Sequence, residues 1–151
     1  MQLQKLAYIA NGWNTVINGE KLISDTAQAW TFGPVYPNLY EHTKYFGKDP
    51  IGRLITPADI DVFRFFAHGS DKDAPAYKAD LTQQERDVIS HVWRRYGTLD
   101  GIKLSELTHQ PGTPWFKAYS RGKNSELRDS DIEEHYLKIA EKSVAGQAQE
   151  I

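Results

Sequence analysis

Apolar residues recur at helical spacing from the first turn of the chain: Leu3, Leu6, Ala10, Trp13 and Ile17, with Ile9 and Val16 alongside. Gln4, Tyr8, Asn11, Thr15 and Asn18 form a more polar opposite stripe. An apolar face this wide predicts a helix that touches more than one neighbour, so it is read as the central helix. Asn18-Gly19 ends it, with Gly19 as a left-handed cap. The period then shortens. Lys21-Leu22-Ile23 and Gln28-Ala29-Trp30-Thr31-Phe32 are expected to pair as two short strands across Ser24-Asp25-Thr26. Two strands alone are marginal in water and must lean on helices. The stretch Ala29-Trp30-Thr31-Phe32-Gly33-Pro34-Val35-Tyr36-Pro37 is the corner around which the helices are arranged. It predicts a strand, a turn at Gly33-Pro34, and a helix from Pro37 to about Phe46. Proline cannot donate a backbone hydrogen bond and pushes the preceding residue out of the helical region.

Residues 48–80 are the least legible. Ile51 to Ile55 is mixed and apolar, and Asp61-Val62-Phe63-Arg64-Phe65-Phe66 fits a strand or a short helix equally. His68 to Pro75 reads as a polar loop. Beyond it, Thr82-Gln83-Gln84-Glu85 is a capping box, followed by Val88, Ile89, Val92, Trp93 and Tyr96 at helical spacing and closed by Gly97. A shorter helix over Leu99–Thr108 carries Ile102, Leu104 and Leu107. Thr113-Pro114 starts another, with Trp115, Phe116 and Tyr119 on it and Gly122 at its end. Ser130-Asp131-Ile132-Glu133 is read as a second capping box, for a helix carrying Ile132, Tyr136, Ile139 and Ala140. The pattern predicts a mainly α fold: a compact helical domain with a small antiparallel β-hairpin. Residues 1–142 are expected to form one domain and 143–151 a frayed, flexible C-terminal tail.

Composition narrows the classes. The chain has 151 residues, 40% of them hydrophobic and 25% charged, as in an ordinary soluble globular protein. A net charge of -2 gives no overall basic footprint for nucleic acid or an anionic membrane. With no Cys, disulfides, thiolate metal sites and a Cys nucleophile are excluded. No apolar run approaches the ~20 residues of a bilayer span, and the N-terminus lacks a signal-peptide core, so the cytoplasm is the expected location.

Candidate chemistry is sparse. His42, His68, His91, His109 and His135 show no metal-ligand spacing. Helix capping accounts for Asp129, Asp131 and Glu133, and Glu134 stands where a calcium loop needs Gly. No nucleophile elbow, P-loop or dinucleotide fingerprint appears. No enzyme, no cofactor and no metal are expected. Arg94, Arg95 and Lys103 flank two helices that imitate a helix-turn-helix. Ile102, Leu104 and Leu107 leave few polar positions for reading bases, so core packing is the stronger account. The surplus lies in the aromatics: Trp30, Phe32, Tyr36, Tyr40, Tyr45 and Phe46, then Phe63, Phe65 and Phe66. These exceed what a corner needs, which points to anchors for a protein partner.

Leu3-Gln4-Lys5-Leu6-x-Tyr8, Gly12-Trp13, Ala29-Trp30-x-Phe32-Gly33-Pro34-Val35-x-Pro37, Leu104-Ser105-Glu106-Leu107-Thr108-His109 and Pro114-Trp115 occur in this order. Together they resemble the SocA-like Panacea antitoxin domain family, known also from phage-associated GepA-type proteins. The resemblance implies a helical, non-enzymatic type II antitoxin that binds and neutralises a protein toxin encoded by a neighbouring gene. One branch of that family acts as an adaptor delivering its toxin to a ClpXP-type protease, which is the alternative, and a prophage DNA-binding regulator is a further one. The contact surface is expected on the exposed part of the Trp30–Tyr45 corner and the 61–75 segment: Trp30, Tyr36, Tyr40, Tyr45 and Phe65. Trp13, Pro34 and Trp115 are expected to be structural, with a buried Trp→Ala costing on the order of 3–5 kcal/mol.

Overall fold

The computed structural model describes residues 1–59 and 75–144. Helix α1 (Gln2–Asn18) runs through the middle and packs against α3 (Gln83–Tyr96), α4 (Gly101–His109), α6 (Asp129–Val144) and one hairpin strand. Its position is the one its pattern predicts, and Leu6, Ile9 and Ala10 of the predicted apolar face are buried, but part of the opposite stripe is buried too. Gln4, Tyr8, Asn11 and Asn14 are buried, while Leu3 and Ile17 are exposed. The polar stripe goes inside because its side chains hold backbone. Asn11 Oδ1 accepts from the Ile23 N–H at 2.9 Å, and Asn14 Nδ2 donates to the Glu20 carbonyl at 2.9 Å. These bonds satisfy backbone groups of segment 20–23, which is irregular rather than the expected strand.

The hairpin is instead β1 (Gln28–Trp30) with β2 (Gly33–Val35), antiparallel, in the register Gln28↔Val35, Ala29↔Pro34, Trp30↔Gly33. The turn falls at Thr31-Phe32, and Gly33-Pro34 lies in the second strand. Proline is tolerated there for a specific reason. Both backbone groups of Ala29 point away from β2: its N–H donates to the Ser125 carbonyl and its carbonyl accepts from the Asn124 N–H, each at 2.8 Å. Ala29 and Pro34 are therefore a non-hydrogen-bonded pair, and the missing Pro34 N–H is not needed. Gly33 has φ 105°, and a Cβ added to it would lie 2.5 Å from Lys5 Cε, so both conformation and space require glycine.

Helix α2 (Pro37–Thr43) starts with Pro in its first turn and continues as a 3₁₀ turn, Lys44–Phe46, as expected of that stretch. The Thr82/Glu85 capping box of α3 is present, and Thr113 caps α5 (Pro114–Arg121). Helix α6 begins at Asp129, so Ser130 lies inside its first turn rather than capping it, and Asp129 and Asp131 face the positive end of the helix dipole. The same helix runs to Val144, past the expected start of the tail. Gly97 closes α3, as expected, in the right-handed region. The core gathers Leu6, Ile9, Val92, Leu104, Trp115, Leu127 and Ile132 with Tyr8, Tyr36, Tyr96 and Tyr136. Gly12 allows the Tyr136 ring to lie directly on α1, because an added Cβ would sit 2.1 Å from it.

Candidate partner-binding surface

The backbone of the corner is held almost carbonyl by carbonyl by side chains from other elements. Trp115 Nε1 donates to the Trp30 carbonyl at 2.9 Å. His109 Nε2 lies 3.2 Å from the Thr31 carbonyl, and Ser105 Oγ donates to that of Phe32 at 2.9 Å. Lys5 Nζ donates to the Pro34 carbonyl at 3.1 Å. Gln4 takes both backbone groups of Tyr36: its Oε1 accepts from the N–H at 2.9 Å and its Nε2 donates to the carbonyl at 3.3 Å. The far edge of β1 is covered by the 124–127 segment, where the Leu127 N–H donates to the Ala27 carbonyl at 2.8 Å. A two-stranded ribbon that would be marginal alone is thereby fixed on both edges and at its tip. The Trp115 ring is also packed, between His109 at 3.7 Å and Tyr119 at 4.6 Å between centroids.

The side chains of this corner divide into two sets. Tyr36 is 1% exposed and belongs to the core, so it cannot reach a partner in this conformation. Trp30 is half-buried, with its ring edge-on to Tyr40 at 4.9 Å, and Tyr40 is exposed. Tyr45 is half-buried, with the Lys44 ammonium 5.3 Å from its ring. Phe65 and the rest of the 60–74 stretch lie outside the described residues. Phe32, at the hairpin tip, is 66% exposed. The sequence reading counts it among the surplus aromatics but does not name it as a contact residue. The alternation along the strand alone would have placed it on one face with Trp30.

Trp30, Phe32, Tyr40, Lys44 and Lys123 are among the residues that line a groove of about 510 Å³. Lys5 is 1% exposed, and its ammonium donates to a neutral carbonyl, that of Pro34. Among the described residues no carboxylate forms an ion pair with it. Burial accordingly lowers its pKa to about 8.

Other exposed apolar residues lie elsewhere. Trp93 at 62% and Ile102 at 66% face outward rather than into the core their spacing suggested, and with Leu3, Phe46 and Ile51 they line a second groove. The exposed face of α4 offers Ile102, Lys103 and Glu106, not a basic stripe for a phosphate backbone. Among the described residues no group of His, Asp or Glu is placed to hold a metal, and no helix is long and apolar enough to cross a membrane.

The arrangement defines a helical scaffold that braces one hairpin from behind and displays its tip. The chain belongs to the SocA-like Panacea domain family of antitoxins: residues 3–116 match the family described as "Antitoxin SocA-like, Panacea domain". It is 28% identical to the antitoxin SocA of Caulobacter vibrioides (strain NA1000 / CB15N) over 116 residues, which cover 76% of this chain and 56% of that protein. The chain thus spans little more than half the length of that curated relative. No solved structure matches it. Four of the five blocks that carry the resemblance build the brace. Gln4 and Lys5 come from the first, the braced corner is the third, Ser105 and His109 come from the fourth and Trp115 from the last.

Proposed function

We propose that this protein is an antitoxin that binds a protein toxin, encoded by a neighbouring gene, and holds it inactive through the displayed hairpin tip and the adjoining face of α2. The observation that carries this reading is the contrast at Phe32. Its carbonyl is fixed by Ser105 while its ring stands in solvent. An exposed aromatic on a preorganised backbone loses little conformational freedom on binding, which is what a binding hot spot requires. Trp30 and Tyr40 extend the same surface, and Tyr45 flanks it. Membership of an antitoxin family supports the role, and the similarity to SocA supports a protein partner.

The test is co-expression. The neighbouring gene is placed under tight control, alone and together with this protein, with growth and co-purification as readouts. Toxicity alone, rescue together and a stable complex are expected. A neighbour that is harmless alone, or a toxin that neither binds nor is rescued, overturns the reading. A second reading, an adaptor that passes the toxin to a ClpXP-type protease, needs a second surface, and the groove around Trp93 and Ile102 is where it would lie. Rescue that depends on the protease, with the toxin disappearing, would favour it.

A further inference from the structure

We propose that the groove around Trp93 and Ile102 is where a second copy of this chain docks, giving a homodimer with twofold symmetry. The inference does not rest on the antitoxin reading, and its test needs no toxin. Three observations carry it. The first is the apolar face itself. Trp93 and Ile102 stand more than half exposed on α3 and α4, and Leu3 and Ile51 are exposed along the same groove of about 890 Å³. An exposed apolar face gathered from four segments of one chain marks an interaction site. The second is that this face is rigid. Gln2 Nε2 donates to the Gly97 and Leu99 carbonyls, at 3.1 and 2.7 Å, and so ties the first turn of α1 to the joint between α3 and α4. The Trp93 ring lies against Gly97, where an added Cβ would come within 2.9 Å of its Cδ2. An exposed Trp seated in this way loses little freedom on binding. The third decides the occupant. The charged side chains lining this groove are one cation and one anion, Lys48 and Asp49. Both are exposed, and neither is in an ion pair among the described residues. In a twofold contact residue i of one copy meets residue j of the other and j meets i. Lys48 and Asp49 then pair twice across the axis, while Trp93 of each copy enters the groove of the other. The apolar contact supplies the affinity and the charges fix the register. The groove at the hairpin tip is not self-complementary in this way, because the charged side chains lining it are all cationic.

The experiment is sedimentation velocity of the purified full chain over a range of micromolar concentrations. The mass is expected to rise from that of one chain to that of two. Trp93→Ala and Ile102→Ala should each weaken the dimer roughly tenfold or more. Lys48→Glu and Asp49→Lys should each weaken it severalfold. Combined in one chain they should restore it, since the pair is then reversed and not broken. Phe32→Ala should leave it unchanged. Unfolding curves of each variant separate loss of the dimer from loss of the fold, and if Trp93→Ala fails to fold, Ile102→Ala and the charge reversals decide. A chain that is monomeric at every concentration overturns the proposal. So does a dimer that survives both Trp93→Ala and Ile102→Ala. A dimer that Phe32→Ala dissolves would place self-association at the hairpin tip and overturn it. Charge reversals that bind no better together than singly would overturn the twofold pairing. A monomer that binds the ClpXP-type protease through Trp93 would give the groove to the adaptor reading and overturn the proposal as well.

Discussion

At the scale of single residues, the buried titratable groups set how stability depends on pH. The pKa of Lys5, about 8, lies below the 10.5 of an unperturbed lysine. Between these values the unfolded chain binds the extra proton, so stability rises with pH through that window. The full gain is on the order of 3 kcal/mol. The Met1 amine, lowered by its own burial and then by Lys5, adds at the lower end. Tyr8, Tyr36 and Tyr136 act the other way. Burial raises each of them above 10.0, so the unfolded tyrosines ionise first and stability falls as pH rises beyond that value. His135, lowered from 6.5 mainly by burial, makes stability fall as pH drops through that value. Urea unfolding at pH 5.5, 7, 9.5 and 11 should therefore show stability rising to a maximum near 9.5 and then declining. Lys5→Met should flatten the rise above pH 8 and leave the alkaline decline intact. A rise that survives in Lys5→Met would show that another group carries it.

At the scale of elements, the helices were legible because their signals are local. The Thr82/Glu85 capping box, Thr113-Pro114, and Pro37 each act within one turn of chain. The hairpin was only half legible. Gly33-Pro34 has the composition of a turn, and what makes it a strand is remote: the Asn124 and Ser125 backbone takes the hydrogen bonds of Ala29 and frees Pro34 from donating. The burial of polar residues on α1 has the same origin, since segment 20–23 brings backbone groups to Asn11 and Asn14. The brace is likewise non-local, with Ser105, His109 and Trp115 lying more than seventy residues beyond the carbonyls they hold. Trp115→Phe isolates one strut of it. The aromatic packing is largely kept while the Nε1 donor to Trp30 is lost. A loss of about 1–3 kcal/mol is expected, from the hydrogen bond and the smaller ring together. Hydrogen exchange should quicken at the Phe32 and Gly33 amides more than at amides in the middle of α3. Uniform acceleration would mean that Trp115 acts as a core residue and not as a strut.

At the scale of the whole molecule, two exposed apolar regions stand on one scaffold: the hairpin tip with Phe32 and the groove with Trp93 and Ile102. Most of their side chains carry little of the fold, so function and stability can be separated there. Phe32 has its ring in solvent and its backbone held by Ser105, so Phe32→Ala should change stability by no more than about 0.5 kcal/mol. If the tip is the toxin-binding surface, the same substitution removes its central anchor and should weaken the complex by tenfold or more. Trp93→Ala is its counterpart, equally exposed but on α3. It should leave toxin binding and rescue intact where rescue is by direct neutralisation. Titration of both variants against the purified toxin, with unfolding curves run in parallel, gives the comparison. A Phe32→Ala protein that is stable and binds normally would move the contact away from the hairpin, and loss of binding in Trp93→Ala would place it on the second groove. Loss of rescue in Trp93→Ala with toxin binding unchanged would instead mark that groove as a separate surface, which an adaptor needs and a simple neutraliser does not.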